Sequence, residues 1–579
     1  MRKKRLFSIV LTLFIVLMLM PCVAFADEGD VDYRYCDENG ANWQTGTKKT
    51  GEYTLAAEGC TTWGTSGQTT WYVVKDTITI NNRVTVNGDV HLILTDGCNL
   101  TINGGISVND SNSLTIYGQE NGTGKLIADA GANEGVNNAA GIGGDSNQHS
   151  GNIIINGGTV IATGNNEGTG IGGGSWSAFE SITINGGTVT ATGGKSNWST
   201  GIGAHYYEVT LDSITISGGT VMASGSLCGI FASSHGTIST GNDGHAVIFA
   251  SHTGEYGSAF HMKDVNESKA SWRGVIFEGN SGQVYGAAVT PSESFSIPVG
   301  KTLTIDSGKA LTIPAGKTLA INEGGMLINN GTIYVDGTFT GKTDSSSTGS
   351  VYYLLTLEGA EATGEIFNNH DNGKIYAKSG SEITLTPDTP QSGYLFDKWE
   401  VSQESVTIDE YNSLTMPSAS LTVTAKWIEC KHNGDKEIRN AKAATCTEKG
   451  YSGDTYCKVC KKELSKGTAT NMLDHKLDYI PKTDATVTEP GNEEYWQCNN
   501  CGKYFADENG TNEISLADTV IQKLTPETNG DKGQSTKTDA EASAKTGDNT
   551  NLALWIALML LSGAGIIGAC LYSRRKRTN

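Results

Sequence analysis

Three stretches of the chain spell nearly the same phrase: Ile153–Gly164 reads IIINGGTVIATG, Ile182–Gly193 reads ITINGGTVTATG and Ile214–Gly225 reads ITISGGTVMASG. A strand, a tight corner and a second strand that recur at intervals of 29 and then 32 residues write a solenoid, because each unit can bury its apolar face only on its neighbours. Alignment puts Ile153, Ile182 and Ile214 in one column, Ile155, Ile184 and Ile216 in a second, and Val160, Val189 and Val221 beyond the glycines. Within each strand apolar residues alternate with outward Thr, the period of two of a half-buried strand. The Asn/Ser-Gly-Gly corner accepts positive φ without a Cβ clash.

The alternation begins before the phrases, at Thr77–Ile80, Val84–Val86, Val90–Leu94, Leu100–Ile102 and Leu114–Ile116. After a less regular part around 226–290 it resumes at Leu303–Ile305, Leu311–Ile313, Leu319–Ile321, Met326–Ile328 and Thr332–Val335. Glycine is 74 of 579 residues and proline only 10, the balance of a turn-rich β protein and not of a Pro/Gly linker. The fold class is therefore mainly β: a right-handed parallel β-helix over 77–345, better matched to short strands with Gly, Asn and Asp corners than a sandwich is. Residues 27–76 carry Trp43, Trp63, Trp71, Cys36 and Cys60 without a repeat and read as an N-terminal cap over the first open edge. An oxidising exterior would permit a Cys36–Cys60 disulfide, and two such cysteines can equally stay reduced.

Both ends of the chain direct it outward. Arg2-Lys3-Lys4-Arg5, the apolar run Leu6–Met20 and Ala24-Phe25-Ala26 form a secretory signal over 1–26. Leu552–Tyr572 is long enough to cross a bilayer as a helix, and Arg574–Arg577 behind it stays inside, so the middle of the chain faces out. Residues 524–546 are almost free of apolar side chains and read as a disordered linker. A formal net charge of −20 argues against nucleic acid as a partner.

Thr546-Gly547 ahead of the span and the basic tail resembles the sorting signal of Gram-positive surface proteins, with Ser543-Ala544 where that signal has Leu-Pro. The resemblance implies that a sortase thiol cuts between Thr546 and Gly547 and transfers the chain to peptidoglycan; without cleavage 552–572 is a membrane anchor. The expected location is extracellular, on the cell wall or plasma membrane of a Gram-positive-type bacterium.

Within 350–428, Gly380–Pro387, Gly393–Trp399, Leu414–Pro417 and Leu421–Trp427 resemble, in that order, the internalin B-type bacterial repeat. That resemblance implies a small, separate β domain used as a spacer or adhesive module. Residues 429–523 hold two Cys/His modules offset by 41: Thr445–Gly450 with Cys457 and Cys460, then Thr486–Gly491 with Cys498 and Cys501. Copy one offers Cys430, His432, Cys446, Cys457 and Cys460 to a tetrahedral zinc site. Copy two has Val487 where Cys446 stood, so its site is incomplete unless His475 serves it. Disulfides are the alternative, and either would hold a domain too small to fold on its core alone.

Between the phrases run Gly141–His149, Gly170–Phe179 and Gly201–Tyr207, each opening on Gly-Ile-Gly. Recurring once per phrase, these loops are expected to project from one side of the coils, where Trp176, Trp198, Tyr206 and Tyr207 would form a platform for sugar rings or merely shield the corners. Glu134, Asp145, Asn147, Asn165 and Glu167 offer oxygens to sugar hydroxyls or to Ca²⁺. These phrases and loops resemble the β-helical carbohydrate-binding surface proteins of clostridia-like bacteria, which implies recognition of polysaccharide or of a host or plant glycan. A stalk that only displays other modules is the second reading, and a polysaccharide lyase or polygalacturonase-like enzyme the third. Catalysis is not expected: Arg83 and Arg273 are the only arginines of the coil region, and no carboxylate pair clusters with a base near the aromatic loops.

Overall fold

The computed structural model describes residues 29–36, 43–205, 212–242, 244–263, 265–369 and 373–526. The signal at 1–26, Tyr206, Tyr207, Thr546, Gly547, the linker beyond 526 and the apolar run 552–572 lie outside the described residues. Among those described, no helix is long and apolar enough to cross a membrane. The chain is mainly β and forms two compact units: residues up to Glu437 with Cys457–Lys462, and Ile438–Tyr456 with the residues from Glu463 onward.

In the first unit the three phrases stack in the register their alignment implies. Ile153 pairs with Ile182 and Ile182 with Ile214 in one parallel ladder, and Val160, Val189 and Val221 align in another. Every one of these side chains is fully buried in a single core. Complete burial of one such side chain contributes roughly 1.5–3 kcal/mol, and each of these gets it only from the coils on either side. At the corner, Asn185 donates to Asn156 and Ser217 donates to Asn185, a polar ladder sealed inside the turn.

The structure corrects the reading of the Gly-Ile-Gly segments as projecting loops. They are strands of a third parallel ladder, in which Ile106, Ile142, Ile171, Ile202 and Ile230 align and point into the core. Each coil therefore has three sides. The third side is only two to four residues wide, and Gly172 shows why glycine recurs there: at φ 128°, a Cβ on it would sit 2.2 Å from the Gly203 carbonyl of the next coil.

Residues 29–76 do more than lid the open end. Trp63 and Tyr72 close the core from within, their rings stacked 5.5 Å apart. The hairpin Val31–Cys36 and Trp43–Lys48 instead lies on the outer face of the coils, with Val31, Tyr33 and Tyr35 packed against Val73, Ile93 and Tyr117. Cys36 and Cys60 are both buried, Cys60 in the coil core.

The solenoid is two stacks and not one. Strand Gly274–Glu278 continues the first stack in parallel, and Gly279-Asn280 then turns the chain into Ser281–Tyr285, which pairs with it antiparallel. Parallel coils resume from there with the chain direction reversed. Their core extends to Val247, Phe249, Val275 and Phe277 of the first stack and runs on to Leu385, Leu414 and Val423. The expected separate domain at 350–428 is continuous with this stack, because one edge of Ser350–Glu358 pairs in parallel first with Thr332–Val335 and then with Leu421–Glu429, while Lys374–Lys378 pairs antiparallel along the other edge.

Candidate functional site

Two four-residue sets of metal-ligand type stand out among the described residues: Cys430, His432, Cys457 and Cys460, and Cys446, His475, Cys498 and Cys501, the ligand atoms of each lying within 4.8 Å of one another. Each is built on the same knuckle. The Cys457 N–H donates to the Lys462 carbonyl and the Lys461 N–H to that of Cys457, with Lys461 at φ 60°; Cys498, Lys503 and Gly502 repeat the pattern. This winds Cys-x-x-Cys into one turn with both sulfurs on one side.

The sulfur of Cys430 lies 3.9 Å from that of Cys457, and Cys446 lies 3.8 Å from Cys498. A tetrahedron with metal–sulfur bonds of about 2.3 Å has an edge of about 3.8 Å, whereas a disulfide requires about 2.05 Å. His432 turns Nδ1 to within 3.3 Å of Cys460, and His475 turns Nδ1 to within 3.5 Å of Cys501. The donor sets fit a tetrahedral divalent ion, not a pair of disulfides.

The electrostatics agree with that fit. N–H groups of Cys460 and Val459, with His432, pull the Cys457 thiol down to about 6. Burial alone would raise Cys498, but His475 and the N–H groups of Asn500 and Cys501 outweigh it and leave it at about 6. Cys446 is pushed the other way, to about 11, by burial and then by the crowding of Cys501 and Cys498. The three thiols of each set cannot all ionise side by side unless a cation sits among them.

One assignment changes. Cys446 belongs to the second set, so both sets are complete, and the second draws one ligand from module one and three from module two. The structure aligns the two modules and shows why. The Leu473 N–H donates to the Thr445 carbonyl and the Leu524 N–H to that of Thr486, which makes the two leucines equivalent. Two residues beyond Leu473 stands His475; two beyond Leu524 stands Pro526. Where Cys446 gives way to Val487, the histidine it would have met is missing too.

On the coils the expected sugar and calcium residues fare differently. Trp176 and Trp198 are exposed, at 56% and 45%, but occupy different corners: Trp176 between the third-side strand Ile171–Gly172 and Phe179–Ile184, Trp198 between Thr188–Thr192 and Thr200–Gly203. Trp176 leans on the buried ring of His205, 5.4 Å away. Asp145 acts as a clasp within the coils. It accepts from Arg83 at 2.6 Å and from Ser107 at 2.8 Å, while the same guanidinium caps the carbonyls of Gly104, Ala140 and Gly143. Glu167 accepts from Ser175 and faces His205; Asn165 donates to the Val136 carbonyl, and Asn147 to Ser146. Glu134 is exposed. Among the described residues, Glu134, Asp145 and Glu167 belong to no group with metal-ligand spacing.

Residues 355–430 match the family model of the divergent InlB B-repeat domain, in agreement with the resemblance read from the four landmarks. No curated protein and no solved structure matches the chain.

Proposed function

We propose that this protein is a bacterial cell-surface binding protein whose coils recognise polysaccharide and whose distal modules are held in shape by Zn²⁺. The observation that carries this reading is the B-repeat at 355–430, a domain type of bacterial surface proteins, joined to the coils through the single strand Ser350–Glu358. The coils are read as a right-handed β-helix. The secretory signal, the linker and Thr546-Gly547 supply the route outward and an anchor on peptidoglycan, through a sortase, or in the membrane. Zinc suits three thiolates and one imidazole at tetrahedral spacing.

The role is binding and not catalysis. Arg83 would be the candidate base of a lyase, and it is enclosed by Asp145 and backbone carbonyls. Arg273 likewise donates to the Ser271 and Trp272 carbonyls. A purely structural stalk is the second reading, favoured by the shared core that ties the second stack to the B-repeat. Protease treatment of intact cells tests display directly: the chain is expected to be cleaved from outside, and a chain recovered intact in the cytosol would sink the proposal. Mass spectrometry of muramidase-digested walls should find a peptide ending at Thr546.

A further inference from the structure

The coil surface holds a better place for a glycan than the exposed tryptophans. A cavity of about 320 Å³ opens among Arg34, Trp43, Asn156, Thr188, Glu293 and Lys317. A second, of about 370 Å³, shares Thr188 with it and continues over Thr190, Thr220, Met222, Phe249 and Pro298. Together they form one groove that crosses the coils along the stacking direction, from the corner at Gly118 to the strand holding Phe249. Four coil steps at about 4.8 Å each give it a length of roughly 20 Å.

We propose that this groove is a binding site for a neutral oligosaccharide chain of several units, an inference that rests on the polysaccharide reading above. Its floor is the outer face of the ladder holding Thr188, Thr190 and Thr220, where backbone donors and acceptors are already paired to the neighbouring coils. An extended peptide would have no strand edge to add to. What the floor does offer is the hydroxyls of Thr188 and Thr190, each a donor and an acceptor, beside that of Thr220, which donates to the Ser294 carbonyl, all set among the apolar surfaces of Met222, Phe249 and Pro298. Hydroxyl-rich rings with apolar C–H faces match that mixture.

The walls are charged but balanced. Lys317 pairs with Glu293 at 2.7 Å, Lys301 caps the Gly279 carbonyl, and Arg34 lies 5.1 Å over the Trp43 ring. Neither a polyanion nor a polycation finds a field of one sign there. The walls are also what makes the face a groove: one is the N-terminal hairpin, and the other is the second stack, returned to this face by the turn at Gly279-Asn280. Trp43 reaches the corner because residue 186 is glycine; a Cβ there would meet the indole at 2.3 Å.

The test is affinity electrophoresis of the full chain through xylan, mixed-linkage β-glucan, galactomannan and, as the anionic counterpart, polygalacturonate. Thr190→Tyr fills the floor, Lys317→Ala opens the far wall, and a Trp176→Ala, Trp198→Ala double variant leaves the groove intact. We expect retardation by at least one neutral polymer, weakened tenfold or more by Thr190→Tyr with unchanged thermal unfolding, and altered less than twofold by the double variant. Should Thr190→Tyr unfold the coils, Lys317→Ala decides, with threefold or greater weakening expected. Binding lost only in the double variant would overturn the groove and leave the polysaccharide reading standing. Binding to polygalacturonate alone would overturn the neutral ligand class. Retardation by none of the four would overturn the groove, and the polysaccharide reading falls separately if a wider glycan array is also blank.

Discussion

The sulfur of Cys446 lies 3.8 Å from that of Cys498, which follows it by 52 residues. The residue that looks like a ligand of the first Cys-x-x-Cys is a ligand of the second. The first set takes Cys430 and His432 from just beyond strand Leu421–Glu429 and two cysteines from its knuckle; the second takes His475 and two knuckle cysteines and completes itself with Cys446.

Cys446→Ser is therefore expected to lower the zinc content of the purified protein from two ions to one. Metal analysis beside a Cys498→Ser variant should give the same count. A Cys446→Ser, Cys498→Ser double variant should still hold one ion; a count of none would mean that the two cysteines serve different sets.

Chelation should split the molecule by stability. Removal of the metals is expected to unfold the modules from Ile438 onward, whose buried apolar cluster is little more than Cys446, Cys498 and Phe505, while the coil transition stays within about 2 °C. Calorimetry before and after a strong chelator, with zinc added back, reads both transitions. A lone transition that ignores the chelator would remove the structural role for metal.

Gly172→Ala tests the third side of the coils. The new Cβ meets the Gly203 carbonyl at 2.2 Å in a backbone conformation that disfavours side chains, and the expected loss is at least about 3 kcal/mol. Gly122→Ala, at φ 63° with open space around it, should cost about 1–2 kcal/mol. Chemical denaturation of the two variants gives the comparison.

Ile184→Ala empties a fully buried position between Ile155 and Ile216 and should cost about 2–5 kcal/mol. Thr183→Ala, one residue away and facing out, should stay within about 0.5 kcal/mol. Equal costs would refute the assignment of inward and outward columns.

Acid should loosen the N-terminal coils. Burial would raise the Asp89 carboxyl, but hydrogen bonds from Ser113, Thr69 and His91 hold it below the ordinary carboxylate range. A depressed folded-state value means a contribution that is complete above about pH 4 and lost as pH falls through the lowered value. Asp96, held down by Thr123 and Asn121, adds in the same direction. Unfolding midpoints measured from pH 6 to 2 should fall on the acid side, and Asp89→Asn should flatten that fall.

The columns of Ile153, Ile182 and Ile214 were readable because period-two burial in a strand is local: each residue declares its side by its own polarity. The Gly-Ile-Gly ladder was not, because two-residue strands carry no alternation and their glycines answer to a carbonyl one coil away. The reversal at Gly279-Asn280 had a local signal, a Gly-Asn pair between alternating runs, of the kind that marks hairpins, but the return of the second stack onto the first rests on contacts far apart in sequence. Cys446 was misassigned for the same reason, since metal ligands are chosen by position in space and not by spacing in the chain. Trp43 lies in a segment without any repeat, and nothing local in the sequence places its ring over Gly186.

The ladder that passes from Thr332–Val335 through Ser350–Glu358 to Leu421–Glu429 has a mechanical meaning. Tension applied between Cys430 and the second stack meets no slack linker there. It enters backbone hydrogen bonds aligned across the pull, which must slide together instead of opening one after another, so the junction resists extension as a shear lap and not as a zipper. A chain pulled at Cys430 would yield elsewhere first.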